Sequence, residues 1–240
     1  MFVITIEHYL FKKFFRTITR QNQDLIYNMG TQYAFGQIVT DGLVLCLNAS
    51  DRNSYVSGQG NNGTLVNGPT FNSSNGGNIV FDGVDDYVIH SSLDLGTVCS
   101  WGVWVNYVRV ANSSEAFVVL GANLPNRYNL YYDFPTKNFY VGTGDVFRTL
   151  QYNAGLNANT WYNIVHTRNG NTVTVYINGV NIGIMTGTSS LPSLFRTIGS
   201  EGTGNYFSNI RVSGVCYYNR TLSAQEVLQN YNALKSRFNL

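Results

Sequence analysis

From Gly42 to the C terminus, short apolar or alternating stretches recur roughly every 8–12 residues, separated by Asn, Gly and Ser. The predicted strands are Leu43–Leu47, Asn61–Pro69, Asn78–Phe81, Asp86–Ile89, Val98–Val105, Ala116–Leu120, Tyr128–Tyr132, Asn138–Val141, Phe147–Tyr152, Trp161–Thr167, Thr172–Ile177, Val180–Met185 and Asn209–Tyr217. Runs this short are too brief for globular helices, and a period of two buries one face of a sheet. Asn169-Gly170-Asn171 and Asn178-Gly179 read as hairpin connections. Strand after strand with such turns predicts an all-β, two-sheet antiparallel jelly-roll sandwich over residues 42–240. Only the end departs from it. Ser223-Ala-Gln-Glu226 is a capping box, and Val227, Leu228, Tyr231, Leu234 and Phe238 follow on one helical face. Lys235 and Arg237 are placed to complement the helix dipole, and the helix is expected to cap an edge or end of the sandwich.

Composition agrees. The 240 residues include 30 Asn, 24 Gly and 17 Tyr but only 12% charged residues. That mixture suits turns and pleated strands, and it excludes both a helical bundle and a disordered chain. Net charge is +2, all of it in the residues before Asp41, where Lys12, Lys13, Arg16 and Arg20 face Glu7 and Asp24. A neutral body lacks the basic footprint of a nucleic-acid binder. Cys46, Cys99 and Cys216 each sit in an apolar run, so they read as buried free thiols assembled in a reducing cytosol. No apolar run is long enough for a membrane-spanning helix, and the first twenty residues make a poor signal peptide because charge follows the apolar part.

Residues 1–41 form a separate arm. Phe11, Phe14, Phe15 and Ile18 fall on one stripe of an amphipathic helix. Such a stripe can lie on a membrane or dock into a partner protein; with four basic residues, protein docking is the expected use.

Three segments in order carry a resemblance: Ile79–Val88 (IVFDGVDDYV), Thr160–Gly170 running into Val173–Gly179, and Ser208–Val212 followed by Tyr218–Leu228 (YNRTLSAQEVL). Together they resemble the laminin-G-like, concanavalin-A-like jelly-roll family. Val39–Ala49, Asn61–Phe71 and Gln229–Phe238 are further similar to laminin-G-like domains in structural proteins of tailed phages, notably marine and cyanobacterial ones. That resemblance implies a non-enzymatic virion protein, assembled in the host cytoplasm, that serves as capsid decoration, head fibre, neck or tail fibre. Its implied partners are other virion proteins and host surface polysaccharide; the first forty residues have no part in the resemblance, and their Phe11–Phe15 cluster is the expected docking element. The resemblance also implies several copies per particle, as a possible homo-oligomer. The alternative is a secreted or cell-surface carbohydrate-binding module.

Catalytic patterns are absent from the sequence. Glucanases of this superfamily resemble one another in Glu-x-Asp-x-x-Glu, and none of Glu7, Glu115, Glu201 or Glu226 has an Asp two residues on. His8, His90 and His166 lack metal-ligand spacing, and Gly199–Gly204 lacks the lysine of a phosphate loop. Asp82, Asp85 and Asp86 share one turn: either Asp82 and Asp85 cap its backbone N–H groups while Asp86 is solvated, or the three offer hard oxygens to calcium, as the resemblance to domains that hold calcium at a loop rim implies. Asn126, Tyr128, Asn205 and Tyr206 are loop residues able to stack on or hydrogen-bond a sugar, or simply to end strands.

Overall fold

In the sequence Val98–Tyr107, every second side chain is apolar and large, and in a computed structural model this stretch is the middle of a sheet. The structure describes residues 38–51, 63–108, 116–121, 130–143, 146–188, 193–202 and 206–240. Their compact unit is Val39–Leu240. The stripe of Phe11, Phe14, Phe15 and Ile18 lies outside the described residues.

The strands in chain order are β1 (Leu43–Asn48), β2 (Thr64–Val66), β3 (Thr70–Asn72), β4 (Asn78–Val80) and β5 (Tyr87–Asp94). Next come β6 (Val98–Tyr107), β7 (Ala116–Gly121), β8 (Leu130–Asp133), β9 (Asn138–Thr143) and β10 (Val146–Gln151). The last are β11 (Trp161–Asn169), β12 (Thr172–Ile177), β13 (Val180–Thr186), β14 (Leu194–Ile198) and β15 (Ile210–Tyr218), before one helix, α1 (Ala224–Leu234). The first sheet has eight strands in the order β13-β12-β11-β6-β15-β4-β3, with β1 also on β15; the second has seven, in the order β10-β9-β8-β7-β14-β5-β2. All pairings among the described residues are antiparallel, as a sandwich of this class requires.

The two sheets meet over one core. Cys99, Trp101, Val103, Val105 and Tyr107 of β6 point inward with Tyr162, Ile164 and His166 of β11, and meet Tyr132, Phe139, Phe195 and Ile198 from the other sheet. Burying each large apolar side chain contributes about 1.5–3 kcal/mol, so this alternation decides the register. Asn178 and Gly179 both take positive φ, 51° and 79°, in the two-residue turn between β12 and β13, the conformation that favours this residue pair.

The helix covers the outer face of the first sheet, not an edge or end. The Ser223–Glu226 capping box is present, and Glu226 also pairs with Arg220 at 2.5 Å. Val227 is buried with Val39, Val165, Tyr176, Tyr218 and Leu222. Leu228, expected on the buried stripe, remains exposed. Beyond the helix a 3-10 turn, Lys235–Phe238, lays Phe238 on Trp104 with ring centroids 4.2 Å apart and on Trp161 at 4.7 Å. Arg237 does not serve the helix dipole. It donates to the carbonyls of Asn75 and Gly76 and to Ser213 Oγ, which ties the C terminus to the loop before β4.

Three further expectations are corrected. Cys46 and Cys216 are not free thiols: antiparallel pairing of β1 with β15 puts them opposite each other, Cα atoms 4.1 Å apart, and they form a disulfide. Their separation of 170 residues hid the pair, and only Cys99 is free and buried, so free thiols at those two positions no longer argue for a reducing environment. The strand Leu194–Ile198 was missed because Arg196 interrupts its apolar run and a bulge between Phe195 and Thr197 breaks the alternation. The three-residue strand Thr70–Asn72 was missed because it is too short to display a period.

Candidate functional site

The second sheet has an inner face built from Leu130, Tyr132, Phe139 and Val141, so the residues between them face outward. Across β8, β9 and β10 two outward rows come into register. Tyr131 stands opposite Tyr140, which stands opposite Thr149; Asp133 stands opposite Asn138, which stands opposite Gln151. The first row is aromatic: the Tyr131 and Tyr140 rings meet edge to face, centroids 5.0 Å apart. The second offers a carboxylate and two amides. No described helix lies on this face, whereas α1 and the C-terminal turn cover the outer face of the first sheet. Three strands side by side span roughly 10 Å.

Residues 199–202 border these rows. Gly121 of β7 makes room for them, because a Cβ there would collide with the Ser200 carbonyl. Thr197 Oγ1 donates to Ser200 O (2.9 Å), Ser200 Oγ to Gly202 O (2.7 Å) and Ser208 N to Gly199 O (2.9 Å), which fixes the bend. The bend carries Glu201, buried, and leads to Tyr206, which is 66% exposed. Tyr206 holds a left-handed φ of 51°, a conformation unusual for a bulky side chain. Burial raises the Tyr131 hydroxyl above its ordinary value, and the charges of Asp133, Tyr140, Tyr206 and Glu201 push it the same way. Tyr131 is therefore a neutral hydroxyl at physiological pH, able to donate to a ligand oxygen.

Of the residues expected to contact sugar, Tyr206 belongs to this neighbourhood, while Asn126, Tyr128 and Asn205 lie outside the described residues. Tyr131, Tyr140, Asp133 and Glu201 were not singled out from sequence. The alternation in Leu130-Tyr-Tyr-Asp133 and Asn138-Phe-Tyr-Val141 held the signal: with Leu130, Tyr132, Phe139 and Val141 inward, Tyr131, Asp133, Asn138 and Tyr140 must face out.

The turn between β4 and β5 brings Asp82, Asp85 and Asp86 together, one carboxylate oxygen of each within 4.8 Å of the others. The turn is completed by its own hydrogen bonds. Val84 N donates to Asp82 Oδ1 (2.8 Å), Asp82 N to Asp86 Oδ2 (3.1 Å), and Asn67 Nδ2 to the Asp85 carbonyl (2.9 Å). Asp86, not Asp85, thus shares the capping with Asp82. Burial, and secondarily the charges of Asp82 and Asp85, raise the Asp86 carboxyl. Three carboxylates are the right class of ligand for calcium but half or fewer of the six to eight oxygens it takes.

A family model described as Laminin_G_3, the concanavalin A-like lectin/glucanases superfamily, matches residues 82–228, which include both outward rows and the 199–202 bend. No curated protein sequence matches the chain. Among solved structures it is similar to domain 4 of AbnA, an extracellular GH43 arabinanase from Geobacillus stearothermophilus, in complex with arabinotriose: TM-score 0.64, 17% identity, 79% of this chain and 98% of that one. The botulinum neurotoxin serotype D binding domain gives a TM-score of 0.62 at 16% identity, covering 80% of this chain and 52% of that one. Trypanosoma rangeli sialidase in complex with sialic acid gives 0.61 at 16% identity, covering 91% and 39%. The chain thus spans about half of the toxin domain. At these identities the likeness is one of fold.

Proposed function

The chain belongs to the concanavalin A-like lectin/glucanases superfamily, and on that basis we propose that it is a non-catalytic carbohydrate-binding module whose ligand lies across β8, β9 and β10. The observation that carries this reading is the pair of registered rows, Tyr131–Tyr140–Thr149 beside Asp133–Asn138–Gln151. A sugar ring has an apolar C–H face and an equator of hydroxyls. Aromatic rings suit the first, and carboxylates and amides fixed on a rigid sheet suit the second. Asp133 already accepts from Thr136 Oγ1 at 2.7 Å, which holds its other oxygen in place for a ligand hydroxyl. The acids act here as acceptors, so no bond is broken and no cofactor is called for.

In its finer form the proposal is a structural protein of a tailed-phage virion, a decoration or fibre that displays this face toward host glycans while residues before Val39 attach it to the particle. The resemblance of Val39–Ala49 and Gln229–Phe238 to such proteins supports it. A secreted or cell-surface carbohydrate-binding module is the second reading, favoured by the Cys46–Cys216 disulfide, a bond of oxidising surroundings. Tyr131→Ala and Tyr140→Ala test the binding reading: each should abolish glycan retention while the near-ultraviolet spectrum of the buried Trp101 core stays unchanged. Retention by both variants would remove the face from consideration. Mass spectrometry of purified particles, and loss of incorporation when residues 1–38 are deleted, test the virion role; recovery of the chain from culture medium instead would favour the second reading.

A further inference from the structure

The sequence carries five Asn-Gly pairs, beginning at Asn62, Asn67, Asn75, Asn169 and Asn178. In such a pair no side chain shields the following backbone nitrogen, which can attack the asparagine carboxamide, and this makes asparagine chemically labile. We infer that Asn67-Gly68, in the turn between β2 and β3, is a site of spontaneous deamidation, and that the fold protects the pairs at Asn75, Asn169 and Asn178. Asn62 lies outside the described residues.

Each protected pair is held at a reacting group. Asn75 is fixed at both ends of its carboxamide, donating to the Arg237 carbonyl at 3.0 Å and accepting from Trp161 Nε1 at 3.1 Å. Asn178 Oδ1 accepts from Asn163 N at 2.9 Å, and Gly179 lies against Leu228 and Tyr231. At Asn169 the nucleophile itself is engaged. Gly170 N donates to the Thr97 carbonyl at 2.8 Å, and the Gly170 carbonyl accepts from Arg168 Nε at 2.9 Å.

Asn67 differs on every count. Asn67 and Gly68 are both exposed, and a Cβ on Gly68 would meet nothing nearer than Asp86 Oδ1 at 3.9 Å. Among the described residues the Gly68 N–H has no acceptor. A single water-exposed bond, from Asn67 Nδ2 to the Asp85 carbonyl at 2.9 Å, holds the carboxamide. Opening that bond lets the turn leave its left-handed φ of 67° for the conformation that ring closure needs.

The step needs only water. Gly68 N gives its proton to solvent base and bonds to Asn67 Cγ, and the carboxamide nitrogen leaves as ammonia, which forms a succinimide. Water then opens the ring at one carbonyl or the other, leaving aspartate or isoaspartate at position 67. The product loses the Nδ2 donor and sets a carboxylate against the Asp85 carbonyl, close to the Asp82, Asp85 and Asp86 carboxylates. The lost bond and the added like charge both loosen that turn.

Storage of the purified full chain in mildly alkaline buffer, followed by digestion and electron-transfer tandem mass spectrometry, reads each pair separately. Aspartate and isoaspartate should accumulate at position 67 about tenfold faster than at 75, 169 or 178, because those sites react only through rarer openings. The four rates should converge when the chain is unfolded in urea. An unconverted position 67 in the folded chain, or conversion at 75, 169 or 178 as fast as at 67, would overturn the inference. Asn67→Gln, whose longer side chain closes a ring far less readily, should silence position 67 and leave the other rates unchanged. Asn67→Asp, the product's mimic, should speed hydrogen exchange across residues 82–86 several-fold; unaltered exchange there would refute the loosening.

Discussion

Acid should weaken this fold chiefly through one imidazole. His166 lies wholly buried between the sheets, ring centroids 5.3 Å from Trp101 and 6.3 Å from Phe139, and neither ring nitrogen has a hydrogen-bond partner among the described residues. Burial holds it neutral, pushing it from 6.5 down to about 3. The unfolded chain therefore binds a proton that the folded chain refuses as pH drops below 6.5, and stability falls with pH until the folded group titrates as well. At pH 5, 1.5 units below the unfolded value, the loss is about 2 kcal/mol; at pH 4 it is about 3 kcal/mol. His90, buried and lowered by the same cause, adds in the same direction. Glu226 acts in a separate window: its pairing with Arg220 holds it at about 2, so its contribution is complete above 4.5 and is lost only below that. Asp86 is shifted upward, so acid relieves it slightly and opposes the histidines. Urea unfolding followed by tryptophan fluorescence at pH 7.5 and pH 5 measures the slope. His166→Phe, which places an apolar ring between two aromatic neighbours, should match wild type within about 1 kcal/mol at pH 7.5 and lose most of the difference between the two pH values. His166→Leu gives the same comparison should Phe overfill the site. A variant that folds yet retains the full pH slope would refute the reasoning.

Ser223→Ala removes one half of the capping box and should cost about 1 kcal/mol in chemical denaturation, with α1 fraying first in hydrogen exchange. Phe238→Ala empties the slot between Trp104 and Trp161 and should cost about 3 kcal/mol, accompanied by a red shift of tryptophan emission. Chelation with EDTA should leave the melting temperature unchanged, because Val84 N and Asp82 N already satisfy the Asp82 and Asp86 carboxylates; a drop of several degrees would give a cation a structural role there. Tyr206→Ala, at an exposed left-handed position, should raise stability or leave it unaltered while weakening glycan binding, as measured by melting and by affinity electrophoresis.

What the sequence disclosed and what it concealed divide along the range of the interactions. The sandwich, the Asn178-Gly179 turn and the Ser223–Glu226 cap depend on residues within a few positions of one another, so periodicity and turn chemistry reveal them. The disulfide joins residues 170 apart, and Arg237 reaches back to Asn75; only the order of strands in the sheet makes these pairs neighbours. The candidate face falls between the two cases. That Tyr131 and Tyr140 point away from the core follows from the burial of Tyr132 and Phe139 beside them, a local fact. That they stand opposite one another, with Asp133 and Asn138 aligned one step along, follows from the β8–β9 register. The turn of four residues between those strands sets that register, and a slip of one residue would send both tyrosines inward and Tyr132 and Phe139 out to water. The same apolar pair that closes the core therefore fixes the spacing of the polar rows outside it, and any ligand specificity this face possesses is held in place by the packing behind it.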